Sequence, residues 1–157
     1  MNAAATSPVY LYMEINGLPL HPLVIHAAVV FGPLAALAAL LYVVLPRWRD
    51  RLRWPMVVLA VVAGGSIVAA YLTGTNFLDS KPELKQLEPV QTHEDRAWIT
   101  LWVTLGFVVV ALAAGSLHER RGAVRVGVSS LLAVAAVATL VSVVLTGDAG
   151  SRAVWGS

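Results

Sequence analysis

The sequence predicts an all-α integral membrane protein: a four-helix up-down bundle made of two pseudo-symmetric helical hairpins. Three observations predict it. Of 157 residues, 58% are hydrophobic and only 13% charged, against roughly a quarter charged in soluble domains, and the mean hydropathy is +0.75. Four apolar stretches are each long enough to cross a hydrocarbon core of about 30 Å, for which a helix needs about 20 residues. The basic residues concentrate in two short turns between these stretches, and such turns mark the cytoplasmic side. The chain, 1–157, reads as a single transmembrane domain with spans at about 20–45, 56–73, 97–117 and 126–146.

Residues 1–17 hold Pro8, Glu14 and an Asn16-Gly17 turn signal, without the basic start and small-residue cleavage site of a secretory leader. They read as a short extramembrane lead-in. Span one, Leu18 to Leu45, opens on His21-Pro22. Proline suits the first helical position, because its φ is preset and its missing N–H costs little there. Pro33 falls mid-span and frees the carbonyl near Val29, which predicts a bend.

The turn from Pro46 to Pro55 sets Arg47, Arg49, Arg51 and Arg53 against Asp50 alone, with Trp48 and Trp54 as interface anchors. Span two carries Gly64, Gly65, Ser66, Ala69 and Ala70, small residues on which membrane helices approach closely. It ends at Leu72-Thr73-Gly74. The connection Thr75 to Thr92 is polar and acid-leaning, which places it outside. Thr92 with Asp95 forms a capping-box-like start to span three, or Pro89 opens that helix a turn earlier. His118-Glu119-Arg120-Arg121 and Arg125 make the second basic turn, with His118 read as solvated. Span four closes on Leu145-Thr146-Gly147.

These elements form an internal repeat. Each half has a histidine at the outer start of a span, a basic inner turn, and a return span ending in Leu-Thr-Gly. The hairpins run parallel, so a pseudo-two-fold axis along the membrane normal is predicted. The repeat gathers His21, His26, Thr73, Gly74, His93, Thr146 and Gly147 at the outer face, with Asp148 just beyond. Ionisable groups at membrane depth are functional candidates by default. His21 and His26 are five apart, roughly 140° around an ideal helix, and so do not form a same-helix chelating pair.

Cysteine is absent, which excludes disulfides, thiolate ligands and cysteine nucleophiles. No phosphate loop, Gly-x-Ser-x-Gly elbow, His-Glu-x-x-His or dinucleotide fingerprint occurs, so hydrolytic or phosphoryl-transfer catalysis is not expected. A net charge of +2 confined to inter-span turns is a topology signal and not a nucleic-acid patch.

The opening HPLVIHAAVVFGPLA, the Leu72-Thr73-Gly74 end, His93 and the closing TGDAGSRAVWG together resemble the bacterial membrane family catalogued as domain of unknown function 2231, over roughly Gly17 to Gly156. Members usually show His-Pro followed by a second histidine, here His21, Pro22 and His26. They commonly close on Thr-Gly-His, where this chain has Thr146, Gly147 and Asp148, an acid in place of a third histidine. The resemblance implies four spans, a bacterial cytoplasmic membrane and, from relatives fused to Rieske-type domains, a redox setting.

Three readings of the cluster stay open. His26 and His93 face each other and hold haem b or another metal, with His21, Thr73, Thr146 or Asp148 contributing. The histidines serve structure alone, bonding carbonyls at the span ends. Or they handle protons or metal ions. The expected setting is a multi-pass accessory or binding protein of the inner membrane with both termini outside, partnered by lipid, by a membrane redox complex or by its own copies.

Overall fold

The structure, a computed structural model, describes residues 14–15 and 18–156. The Asn16-Gly17 turn lies outside them. Four helices make up the described chain: α1 (Leu20–Val44), α2 (Arg49–Ser80), α3 (Glu88–Ser116) and α4 (Ala123–Trp155). All four are long and apolar enough to cross a membrane. Ahead of α1, Glu14–Ile15 pairs antiparallel with Leu18–Pro19. The helices form a ring in which α1 and α3 each neighbour both α2 and α4.

The helices exceed the apolar windows that predict them. α2 already begins at Arg49 and runs through Pro55 to Ser80, so most of the basic turn is helical. The expected connection of residues 75–92 shrinks to a 3-10 turn, Pro82–Gln86, between two helix ends. α3 opens after Leu87 with Pro89 in its first turn, and not at the Thr92–Asp95 box. Polar residues do not end a helix that has left the hydrocarbon, because water satisfies its backbone ends equally well. α1 is continuous through Pro33.

The bundle packs on small side chains. Ala35, Ala36, Ala39, Ala60, Ala63 and Ala136 are fully buried, and Tyr42, Met56, Phe107 and Leu132 fill the space between them. Backbones approach so closely that a Cβ on Gly64 would stand 2.7 Å from Val108 Cγ2, and one on Gly115 2.7 Å from Val57 Cγ2. Outward-facing Val30, Leu37, Val109 and Val134 stay exposed. That is the inverse arrangement of a water-soluble bundle.

Burial reveals the true register of the repeat. Between α1 and α3 buried residues recur 72 apart: Ala28 and Thr100, Gly32 and Thr104, Ala35 and Phe107, Ala39 and Ala111, Tyr42 and Ala114. Between α2 and α4 they recur 76 apart: Met56 and Leu132, Ala60 and Ala136, Ala63 and Thr139, Ile67 and Val143, Thr73 and Ala149. The two Leu-Thr-Gly strings are 73 apart (Thr73 to Thr146), three residues short of that register. They are not equivalent positions, and the string match that suggested the repeat misaligns its second half by most of a helical turn.

Candidate functional site

His21 stands in the first turn of α1, where Pro22 fixes the helix start. Its Nδ1 lies 3.0 Å from Ala70 O and 3.3 Å from Thr73 Oγ1. A carbonyl only accepts, so the Nδ1–H donates to it. The Thr73 hydroxyl donates to Ala69 O at 2.8 Å, leaving lone pairs toward the ring. The imidazole lies on Gly74, where a Cβ would come 2.8 Å from Cε1, and stacks with Phe77 at 6.4 Å between centroids.

His93 repeats this construction from the second turn of α3. Its Nδ1–H donates to Thr146 O at 3.1 Å, and its ring covers Gly150, where a Cβ would come 3.0 Å from Cε1. Thr146 Oγ1 bonds Thr100 Oγ1 at 2.7 Å. In both halves the accepting carbonyl and the glycine are four residues apart. An α-helical C=O already accepts the N–H four residues on. A glycine at that place removes the Cβ that would cover the carbonyl's second lone pair.

The sequence-predicted residues sort accordingly. His21, Thr73, Gly74, His93 and Thr146 come together in these two constructions. His26 does not join them: it is exposed, and its Nδ1 lies 2.7 Å from Pro22 O one turn earlier in its own helix. With His21 turned inward, the five-residue offset turns His26 out. His21, and not His26, is therefore the counterpart of His93: the two stand 72 apart, in the burial register, each bonded to its own return helix. Gly147 has open space around it, and Asp148 pairs with Arg152 at 2.9 Å on the exposed side of α4. Ala70, Thr100 and Gly150 were missed. Gly150, four residues after Thr146, was the available signal.

Among the described residues no hydrogen bond reaches Nε2 of His21 or His93, and no group of three His, Cys, Asp or Glu side chains could hold a metal ion. Trp98 packs between Tyr71 (5.9 Å) and Trp102 (5.5 Å) beside this end, and both tryptophans are half-exposed.

At the opposite, basic end His118 departs from its expected solvation. Its side chain is 11% exposed, with Nε2 2.8 Å from Asp50 Oδ1 and Nδ1 2.9 Å from Tyr42 Oη. Tyr42 is fully buried, and its single hydroxyl proton has two acceptors within reach, His118 Nδ1 and Ala114 O at 3.3 Å. A tyrosine inside an apolar span requires such a partner, so Tyr42 was the legible hint.

A family model described as predicted membrane protein (DUF2231) matches residues 17–157. No curated protein and no solved structure matches the chain.

Proposed function

The chain belongs to the DUF2231 family of predicted membrane proteins, and from that premise we propose that it is a small membrane accessory protein whose binding end is the His21–His93 pair. The observation that carries this reading is the pair of Nδ1–H···O=C bonds. A neutral imidazole that donates from Nδ1 keeps its lone pair on Nε2. Backbone bonds of this kind orient metal-ligating histidines. Zinc sites take three or four protein ligands, more than the described residues bring together. Haem b fits better, since the porphyrin fills four positions and leaves one or two for imidazole. His21 and His93 would be the ligands, and the bound iron would supply one-electron redox chemistry. In this reading the basic turns face the cytoplasm of a bacterial inner membrane, both termini lie outside, and electrons pass to a membrane redox partner.

A second reading is favoured by the glycine seats. Rings lying this closely on Gly74 and Gly150 also act as clasps that fix α1 to α2 and α3 to α4. One absorption experiment separates the two. Purified protein reconstituted with haemin should show a Soret band that is lost in His21→Ala and His93→Ala but retained in His26→Ala. Colourless protein throughout, with reduced thermal stability in the first two variants, would leave the clasps alone.

A further inference from the structure

The second end of the bundle holds a cavity unconnected with the histidine clasps. The α1–α2 turn at Pro46, the start of α2 at Arg49 and Asp50, and the α3–α4 turn enclose a space of about 650 Å³ that opens to the surface. Arg49, Arg120, Arg121 and Arg125 line it, with Asp50 and Glu119 as the acids. Asp50 is already engaged by His118. Among the described residues none of the four guanidinium groups is in an ion pair. Arg49 lies over the Tyr42 ring at 4.6 Å, and its Nε is buried without a hydrogen-bond partner among the described residues. The chain Asp50–His118–Tyr42–Ala114 O ties both turns to the bundle core, so the cavity has a fixed floor.

A fixed, concave surplus of arginine donors is the chemistry that recognises phosphate, because the planar guanidinium offers paired N–H groups to its oxygens. The cavity's size suits a small ligand. It also sits at the helix ends, beside the half-exposed indoles of Trp48 and Trp54, residues that favour the headgroup level. Basic pockets between helices at that level take lipid headgroups.

We propose that this cavity binds a phosphate-bearing anion. Anionic phospholipid headgroups and free phosphate compounds share that chemistry, and the test separates them. Thermal unfolding of the full chain in uncharged detergent would be followed while phosphatidylglycerol, phosphatidylcholine or inorganic phosphate is titrated, with chloride matching the ionic strength. Phosphatidylglycerol should stabilise at lower concentration than phosphatidylcholine. Arg120→Gln/Arg121→Gln, both on an exposed turn, should raise its half-saturating concentration more than about tenfold, given about fivefold per arginine near a lipid surface. Arg49→Gln/Arg125→Gln should do the same. Arg47→Gln/Arg51→Gln, equal in charge but not lining the cavity, should raise it distinctly less than either cavity pair, because these arginines contribute only to the general surface potential. Stabilisation by inorganic phosphate without preference between the lipids would assign the site to a soluble phosphate compound. No response to either anion, or equal losses in the control variant, would overturn the proposal.

Discussion

The imidazole of His93 rests on Gly150 with its Nδ1–H bonded to Thr146 O, as the imidazole of His21 rests on Gly74 with its Nδ1–H bonded to Ala70 O. The two halves thus build one device from different strings. What they share is a carbonyl and a glycine one turn apart on the return helix, with a histidine reaching across from the other helix of the hairpin.

Gly74→Ala and Gly150→Ala should each destabilise the protein. The new methyl would sit 2.8 Å or 3.0 Å from a ring that is itself held by a bond, and overpacking of this kind costs about 1–3 kcal/mol. Gly147→Ala meets open space and should be neutral or stabilising by up to about 1 kcal/mol, as alanine favours helix. Thermal unfolding in detergent distinguishes the three. The reverse order would restore Leu-Thr-Gly as the repeat register.

His21→Ala and His93→Ala should each lower stability by about 1–3 kcal/mol, since each removes a cross-helix bond and uncovers a partly buried polar site. His26→Ala should stay within about 0.5 kcal/mol, as an exposed side chain bonded only within its own helix.

Tyr42 and His118 should be energetically coupled. A double-mutant cycle with Tyr42→Phe and His118→Ala should return an interaction of about 0.5–3 kcal/mol, the range for residues sharing one network. Strictly additive effects would mean that the 2.9 Å contact contributes nothing to folding.

Thr104 and Thr139 are fully buried, with hydroxyls that have no partner among the described residues. An unpaired buried hydroxyl costs free energy. Thr104→Val and Thr139→Val, close in shape, should therefore leave stability unchanged or raise the unfolding midpoint. A marked loss for either would reveal a bond made by that hydroxyl.

Lys85 titrates above the ordinary lysine range because Asp79 accepts its hydrogen bond at 2.6 Å. A raised folded value means that the pair's contribution is fully present below the usual lysine range. It disappears as pH rises through the raised value. Both side chains are substantially exposed, so salt should weaken the effect. Side-chain NMR titration checks it: Asp79→Asn should return Lys85 to ordinary behaviour.

Four apolar runs of about 18 to 26 residues left the chain few alternatives to four spanning helices, and the fold was legible for that reason. Helix ends were less so, because Arg49 to Trp54 and Glu88 to Arg96 stay helical beyond the hydrocarbon. His118 was misread from its neighbours Glu119 and Arg120. Its actual partners, Asp50 and Tyr42, lie 68 and 76 residues away, and no local pattern encodes such a contact. His26 was paired with His93 from the sequence, yet position along an apolar run does not decide which face of a helix a residue occupies. The 140° offset did.

The central claim is that His21 and His93 donate from Nδ1 to helix carbonyls and hold Nε2 as a lone pair. Histidine side-chain ¹⁵N NMR of the purified protein, at a pH where the rings are neutral, tests it most directly. The account predicts a protonated Nδ1 and an unprotonated Nε2 for His21 and His93. An Nε2–H tautomer at either residue would set two lone pairs against each other at Ala70 O or Thr146 O, and would contradict it.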